Sequence, residues 1–265
     1  MPITAFGPAF TGNGVTTGDQ TIPSVTRTGN NAFYVTYLST DSGGVIRQTG
    51  FDANGSRSTL LPDHTIGGAG LLTPNSGFFQ ARGASFTSSE DMVTWYQADA
   101  AIPGNFILMA QLFDTNGNGV GSAIQVSHST ALINTSLKAT FTVARGGNVM
   151  FSWSERGVAG DSINNDAVVS RIYDSTLIPV TGQFRVNTTT AGNQQRPKPT
   201  ALGNGNFEDL FLSFDSGSFN IRGRVFAPGG NAVSGSDFTI NTTSTFSTSR
   251  PGYQRAALGS QSVVA

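Results

Sequence analysis

Phe33-Tyr-Val-Thr-Tyr37, Asp91-Met-Val-Thr-Trp95, Val149-Met-Phe-Ser-Trp153 and Phe207-Glu-Asp-Leu-Phe211 are four short runs, each ending on an aromatic residue. The aromatics stand at 37, 95, 153 and 211, a constant step of 58 residues. A fixed period of this length marks a repeat architecture, in which each unit buries its faces against the next. Later in each unit an aromatic runs into a turn: Phe51-Asp-Ala-Asn-Gly55, Phe113-Asp-Thr-Asn-Gly117, Tyr173-Asp-Ser175 and Phe226-Ala-Pro-Gly-Gly230. Asn-Gly and Gly-Gly supply the positive φ angles of tight hairpins, so each landmark reads as a strand entering a turn. Short runs of period two follow, such as Ile124-Gln-Val-Ser127, Phe184-Arg-Val-Asn187 and Phe238-Thr-Ile-Asn241. Upstream of the aromatic run lies one more short strand, as in Pro23-Ser-Val-Thr-Arg-Thr-Gly29.

Each unit is therefore four antiparallel strands, and no stretch has capped helical periodicity. The reading is an all-β chain, a five-bladed β-propeller of four-stranded blades. The units fall at about 18–66, 77–130, 135–190 and 195–245, all in one domain spanning 1–265. The fifth, 252–265, is completed by 1–17. There Tyr253–Gly259 and Gln261–Ala265 give the first two strands, and Ile3–Phe6 and Asn13–Thr17 the last two. Sharing one blade between the termini closes the ring and leaves no sheet edge open. A linear stack of the same hairpins is the alternative.

Composition narrows the function. The 265 residues carry 12% charged side chains and a formal charge of −1, so nothing marks the chain for nucleic acid or an anionic bilayer. No run of 18 apolar residues exists, and no membrane insertion is expected. The N-terminus lacks a basic segment followed by an apolar one, so a signal peptide of the ordinary kind is not expected. The expected setting is secreted or cell-surface, reached by a route that does not read the N-terminus, with the cytoplasm left open. Cysteine is absent, which removes disulfides and thiolate chemistry. The low charge leaves room for a homo-oligomer.

The fourth unit, with Phe184-Arg-Val-Asn-Thr, Gln195-Arg-Pro-Lys-Pro-Thr-Ala-Leu-Gly203 and Arg224-Val-Phe-Ala-Pro-Gly-Gly230, resembles a tandem repeat of large exported bacterial proteins. These include calcium-binding type I secretion substrates and adhesins. The first unit follows the same pattern through Gln20, Pro23, Gly29, Phe33 and Phe51, whereas the second and third depart from it. The resemblance implies a scaffold and an exported setting, without chemistry. In shape and repeat number the chain is also similar to small five-bladed lectins of the tachylectin type.

Hydrolysis on such a scaffold needs paired carboxylates. The five first strands (20–29, 77–86, 135–146, 195–203 and 252–259) contain no Asp or Glu. His64 and His128 stand in turn sequences with no Gly-x-Ser-x-Gly elbow. Asp114-Thr-Asn-Gly-Asn-Gly119 copies half of an EF-hand loop, but Gln125 stands where a bidentate carboxylate belongs, so a hairpin explains it. No metal and no organic cofactor is expected.

The loops after the second strands remain. Asp41, Asp99 and Asp215 each lie four residues beyond the terminal aromatic, and the third unit offers Glu155, Arg156 and a long loop with Asn164 and Asn165. Tyr96 points away from its aromatic neighbour. Carboxylates and amides beside rings suit sugar hydroxyls and C–H faces. The expectation is a non-catalytic lectin whose repeated weak sites bind glycans multivalently. A structural or adhesive module binding proteins, and a glycan-processing hydrolase, are the rivals.

Overall fold

The computed structural model describes residues 10–27, 32–41, 44–59, 62–66, 82–85, 90–114, 116–127, 132–133, 139–143, 147–215, 217–241, 255–258 and 261–264. Among them every regular element is a β-strand. The first sheet is β1 (Gln20–Arg27), β2 (Phe33–Ser39), β3 (Val45–Phe51) and β4 (His64–Thr65), paired in chain order. The second is β5 (Arg82–Ser85), β6 (Glu90–Ala98), β7 (Phe106–Asp114) and β8 (Gly119–Gln125). The third holds β10 (Thr140–Val143), β11 (Val149–Arg156), β12 (Asp166–Tyr173) and β13 (Phe184–Arg185), and β9 (Leu132–Ile133) adds to β11. The fourth is β14 (Asn193–Ala201), β15 (Phe207–Phe214), β16 (Phe219–Phe226) and β17 (Phe238–Thr239).

The fold is an all-β propeller of antiparallel sheets, but with four blades where five are expected. At the C-terminus β18 (Arg255–Leu258) and β19 (Gln261–Val264) form a sheet of two strands only. Residues 10–17 form no strand that could complete it, and 1–9 lie outside the described residues, so no closed ring is seen. The chain divides into two compact units, 1–95 with 110–123, and 96–109 with 124–265.

The repeat is built by recurring local physics. Between Thr21 and Ser24, and again between Gln195 and Lys198, the first strand bulges against the second. Pro23 and Pro197 fall inside these bulges, because proline has no N–H for the ladder. At three of the four hairpins after the third strand an Asp side chain accepts two turn amides, and in the fourth unit Ala227 stands at that position. Asp52 takes Asn54 N (2.9 Å) and Ser56 N (2.8 Å), and Asp174 takes Thr176 N (2.8 Å) and Ile178 N (2.9 Å). Asp114 takes Asn116 N and Asn118 N, both at 2.8 Å, so the half EF-hand sequence is a hairpin turn.

The second strands β2, β6, β11 and β15 are buried almost throughout. Between the third and fourth sheets, Met150, Val168, Ile172 and Val186 pack on Phe207, Phe211 and Phe226. Tyr37, Trp95, Trp153 and Phe211, the aromatics of the 58-residue step, are all buried. A polar clasp joins successive units: Asp237 accepts Thr188 N (2.9 Å) and Thr189 N (2.8 Å). Asp237→Ala leaves those amides without their anionic acceptor and should cost about 1–2 kcal/mol. Urea unfolding should show the midpoint falling with an unchanged slope.

Candidate functional site

The long loop of the third blade leaves β11 at Arg156 and re-enters at Asp166, which is paired with Arg156 across the strands. It is pinned by its own backbone: Asp161 N donates to Val158 O at 2.9 Å and Asn165 N to Ser162 O at 2.9 Å. Gly157 and Gly160 take φ of 74° and 86°, a conformation that a side chain would disfavour. These turns tuck the Asp161 carboxylate wholly out of solvent. Its Oδ2 faces Asn187 Nδ2 at 3.4 Å and Arg185 Nη1 at 3.6 Å, while Oδ1 is buried without a hydrogen-bond partner. Burial raises the Asp161 pKa, and the pull of Asn187 and Arg185 does not offset it.

Two further buried carboxylates adjoin the loop. Glu155 accepts Trp153 Nε1 at 2.8 Å and Gln183 Nε2 at 3.0 Å. Asp166 accepts Gln195 Nε2 and pairs with Arg156 Nε at 3.2 Å, and its backbone N donates to Asn193 Oδ1 at 3.0 Å. Asn187 ties the loop to the fourth blade by donating to Gln194 Oε1 at 3.3 Å. The end of β11, the start of β12 and the first strand of the next sheet therefore enclose three carboxylates. One of them is held toward its protonated form, as proton donation requires.

The other expected site residues are engaged elsewhere. Asp41 accepts Ser39 Oγ and Arg47 Nη2, both at 2.6 Å, and the Arg47 guanidinium holds its carboxyl below the usual range. Arg47 also reaches Asp63 Oδ1 at 2.8 Å, and Asp63 accepts Tyr37 OH, Thr49 Oγ1 (2.7 Å) and Gly14 N (2.8 Å). Burial works to raise the Asp63 pKa, but these donors outweigh it and hold the carboxyl low. Asp215 is paired with Arg222 and accepts Asn220 Nδ2 at 3.3 Å. Asp99 caps its own loop through Ala101 N (2.8 Å) and Asn105 Nδ2 (3.2 Å). Tyr96 is 1% exposed. Asn164 is exposed on the loop, and Asn165 closes the loop with its backbone O on Gly157 N at 3.3 Å. His64 Nδ1 lies 3.0 Å from Pro62 O, and His128 lies outside the described residues.

Glu155 and Arg156 are thus joined by Asp161 and Asp166, which the sequence did not single out. A further buried carboxyl lies in the second sheet, on β6. Asp91 is 4% exposed, and burial pushes its pKa up to about 7. Its neighbour Tyr34 is also raised, by burial and then by the charges of Asp91 and Asp114.

No family model and no curated protein matches the chain. Solved structures do match. An α-L-arabinanase from Penicillium chrysogenum, complexed with arabinobiose, is 12% identical, with a TM-score of 0.54 over 86% of this chain and 68% of its own. A protein of unknown function from Dyadobacter fermentans is 10% identical, with a TM-score of 0.56 over 83% and 68%. A GH93 α-L-arabinofuranosidase of Fusarium graminearum, bound to arabinobiose, is 9% identical, with a TM-score of 0.51 over 83% and 66%. At these identities the likeness is one of fold. The expectation of a non-catalytic lectin, and with it of a chain that is no enzyme, is corrected: solved structures that share this architecture include an arabinanase, an arabinofuranosidase and a family-43 glycoside hydrolase. A count of carboxylates on the first strands alone passes over Asp161 and Asp166, which stand on the loop after β11 and at the start of β12.

Proposed function

We propose that this chain is a glycan-processing hydrolase whose proton donor is Asp161. The observation that carries the reading is a carboxyl fully removed from solvent, with one oxygen lacking any partner and its pKa raised by burial. Glycosidic cleavage needs such a group to protonate the departing oxygen, and a second carboxylate on the other side of the bond. Asp166, at the far end of the same loop, is that counterpart, oriented by Gln195 and Arg156. Glu155 braces the end of β11 through Trp153 and Gln183. Substrate reaches Asp161 when the loop lifts about Gly157 and Gly160, whose freedom of φ absorbs the change.

Arabinose-containing glycans are the substrate class, an assignment that rests on analogy of fold. The test is incubation with arabinan and with aryl α-L-arabinofuranosides and aryl pyranosides, followed by chromatography of the products. Release of sugar from the furanosides or from arabinan is expected. A chain that releases nothing from any of these substrates is not the hydrolase proposed.

A further inference from the structure

Two donors face the Asp161 carboxyl, and both are held slightly away from it. Asn187 Nδ2 stands 3.4 Å from Oδ2 but also donates to Thr189 O at 2.7 Å. Arg185 Nη1 stands 3.6 Å from the same oxygen and donates to Ala159 O at 3.2 Å. A charge-assisted bond from a guanidinium to a carboxylate is about 2.7–2.9 Å long when fully made. Arg47 makes such a bond to Asp41 at 2.6 Å, and that carboxyl is held below its usual range. Asp161 has its cation at a greater distance, and burial, the larger effect, keeps its pKa raised. With both donors on Oδ2, the proton of the neutral acid belongs on Oδ1, which is buried without a hydrogen-bond partner.

Arg185 belongs to β13, where it pairs with Val169 of β12, and its side chain reaches across to the loop. A Cβ at Gly160 would come within 2.9 Å of Nη1, so the glycine between Ala159 and Asp161 lets the guanidinium lie against the loop backbone. Anchored on the loop's own carbonyl, the guanidinium follows Asp161 when the loop lifts. The charged groups of the neighbouring strands are engaged elsewhere. Arg156 of β11 pairs with Asp166 of β12, and Glu155 of β11 accepts Trp153 and Gln183. Among the described residues, the cation that faces Asp161 is Arg185.

Resting on the assignment of Asp161 as proton donor, we propose that Arg185 is the positioning residue that takes up the charge Asp161 acquires when its proton leaves. In that step the Oδ1–H bond breaks, the proton passes to the departing glycosidic oxygen, and the electron pair of the bond stays on the carboxyl. The pair of the glycosidic C–O bond stays with the departing oxygen, and the sugar carbon is completed by water, which gives a proton to Asp166. A buried carboxylate without a counter-charge is costly. Arg185 need close by only about 0.7 Å, from 3.6 Å to the ~2.9 Å of a charge-assisted bond, to supply one. The contact is weak while the acid holds its proton and strong once it has ionised, so it favours the transition state over the bound substrate.

The test compares Arg185→Gln and Arg185→Lys with wild type in the full chain, measuring kcat and KM on arabinan as functions of pH. Glutamine keeps an amide for Ala159 O and removes the cation. Its kcat should fall about tenfold with KM within about twofold of wild type, the mark of a contact made in the transition state. The alkaline limb of its profile should move to higher pH, and aryl furanosides with an acidic phenol should lose less. Lysine keeps the charge and should restore most of kcat and return the limb. A limb that stays in place, a loss carried by KM, or a lysine variant as impaired as the glutamine one overturns the proposal. Titration of the Asp161 carboxyl carbon by NMR needs no turnover. A higher midpoint in Arg185→Gln than in wild type is expected, and an unmoved midpoint overturns the role of Arg185. A wild-type chain without turnover, but with that displacement in the variant, would strike the hydrolase and leave the pairing standing.

Discussion

Asp161→Asn should lower turnover of a natural glycan by about 10²- to 10⁴-fold, the range that a positioned general acid contributes. The substitution keeps the shape of the side chain and removes the transferable proton. It also removes a charge that burial already disfavours, and Arg185 keeps its donation to Ala159 O at 3.2 Å, so the loss of stability should be small. The leaving group separates an acid from a merely structural residue. Aryl glycosides with an acidic phenol need little protonation and should lose far less activity than the polymer. The pH profile carries a second signature. Because burial raises the Asp161 pKa, the wild-type rate should hold at low pH and fall as pH rises through that value, and the variant should lose this alkaline limb. Equal losses on both substrates, with the limb retained, would remove Asp161 from the chemistry.

The repeat was legible because it is written in residues whose physics is local. The aromatics at 37, 95, 153 and 211 close the core of every second strand, and Asn-Gly at 54–55 and 116–117 sets the hairpins. The count of blades was not legible, since it depends on which strands the terminal segments join. The sequence reading places a last strand at Asn13–Thr17, but residues 10–17 form no strand, and the ordered contacts there are those of Phe10 with Phe33 and of Asn13 with Gln20. The even spacing of Asp41, Asp99 and Asp215 suggested equivalent open sites. The partners that engage them lie across a hairpin, as Arg47 and Arg222 do, or within the loop, as Asn105 does, and spacing is blind to that. Asp161 gave no signal, because Gly-Asp-Ser in a loop reads as solvated surface until the chain folds it inward. Asp91 did give one. It occupies the column in which the other units carry Phe33, Val149 and Phe207, an acid in a row of core residues.

That misplaced acid governs the expected stability. In the unfolded chain the Asp91 carboxyl titrates near its ordinary 3.8, and in the folded chain near about 7. Between these values the unfolded state gives up the proton and the folded state keeps it, so stability falls as pH rises from about 4 to about 7. A gap of this size corresponds to about 4 kcal/mol once the pH exceeds both values, at roughly 1.4 kcal/mol per unit. Asp41, Asp63, Asp114 and Asp174 act in the opposite sense: their lowered pKa values add stability at neutral pH that is lost in acid. The chain should therefore be most stable near pH 4–5. Asp91→Asn removes the burden without changing side-chain volume. Its melting temperature should rise by on the order of 10 °C at pH 8 and change little at pH 4.5. Thermal melts of both proteins at the two pH values decide the matter. A variant that melts lower than wild type at pH 8 would mean that the ionised carboxylate is stabilised by its surroundings, and that Asp91 is no misfit in the apolar column.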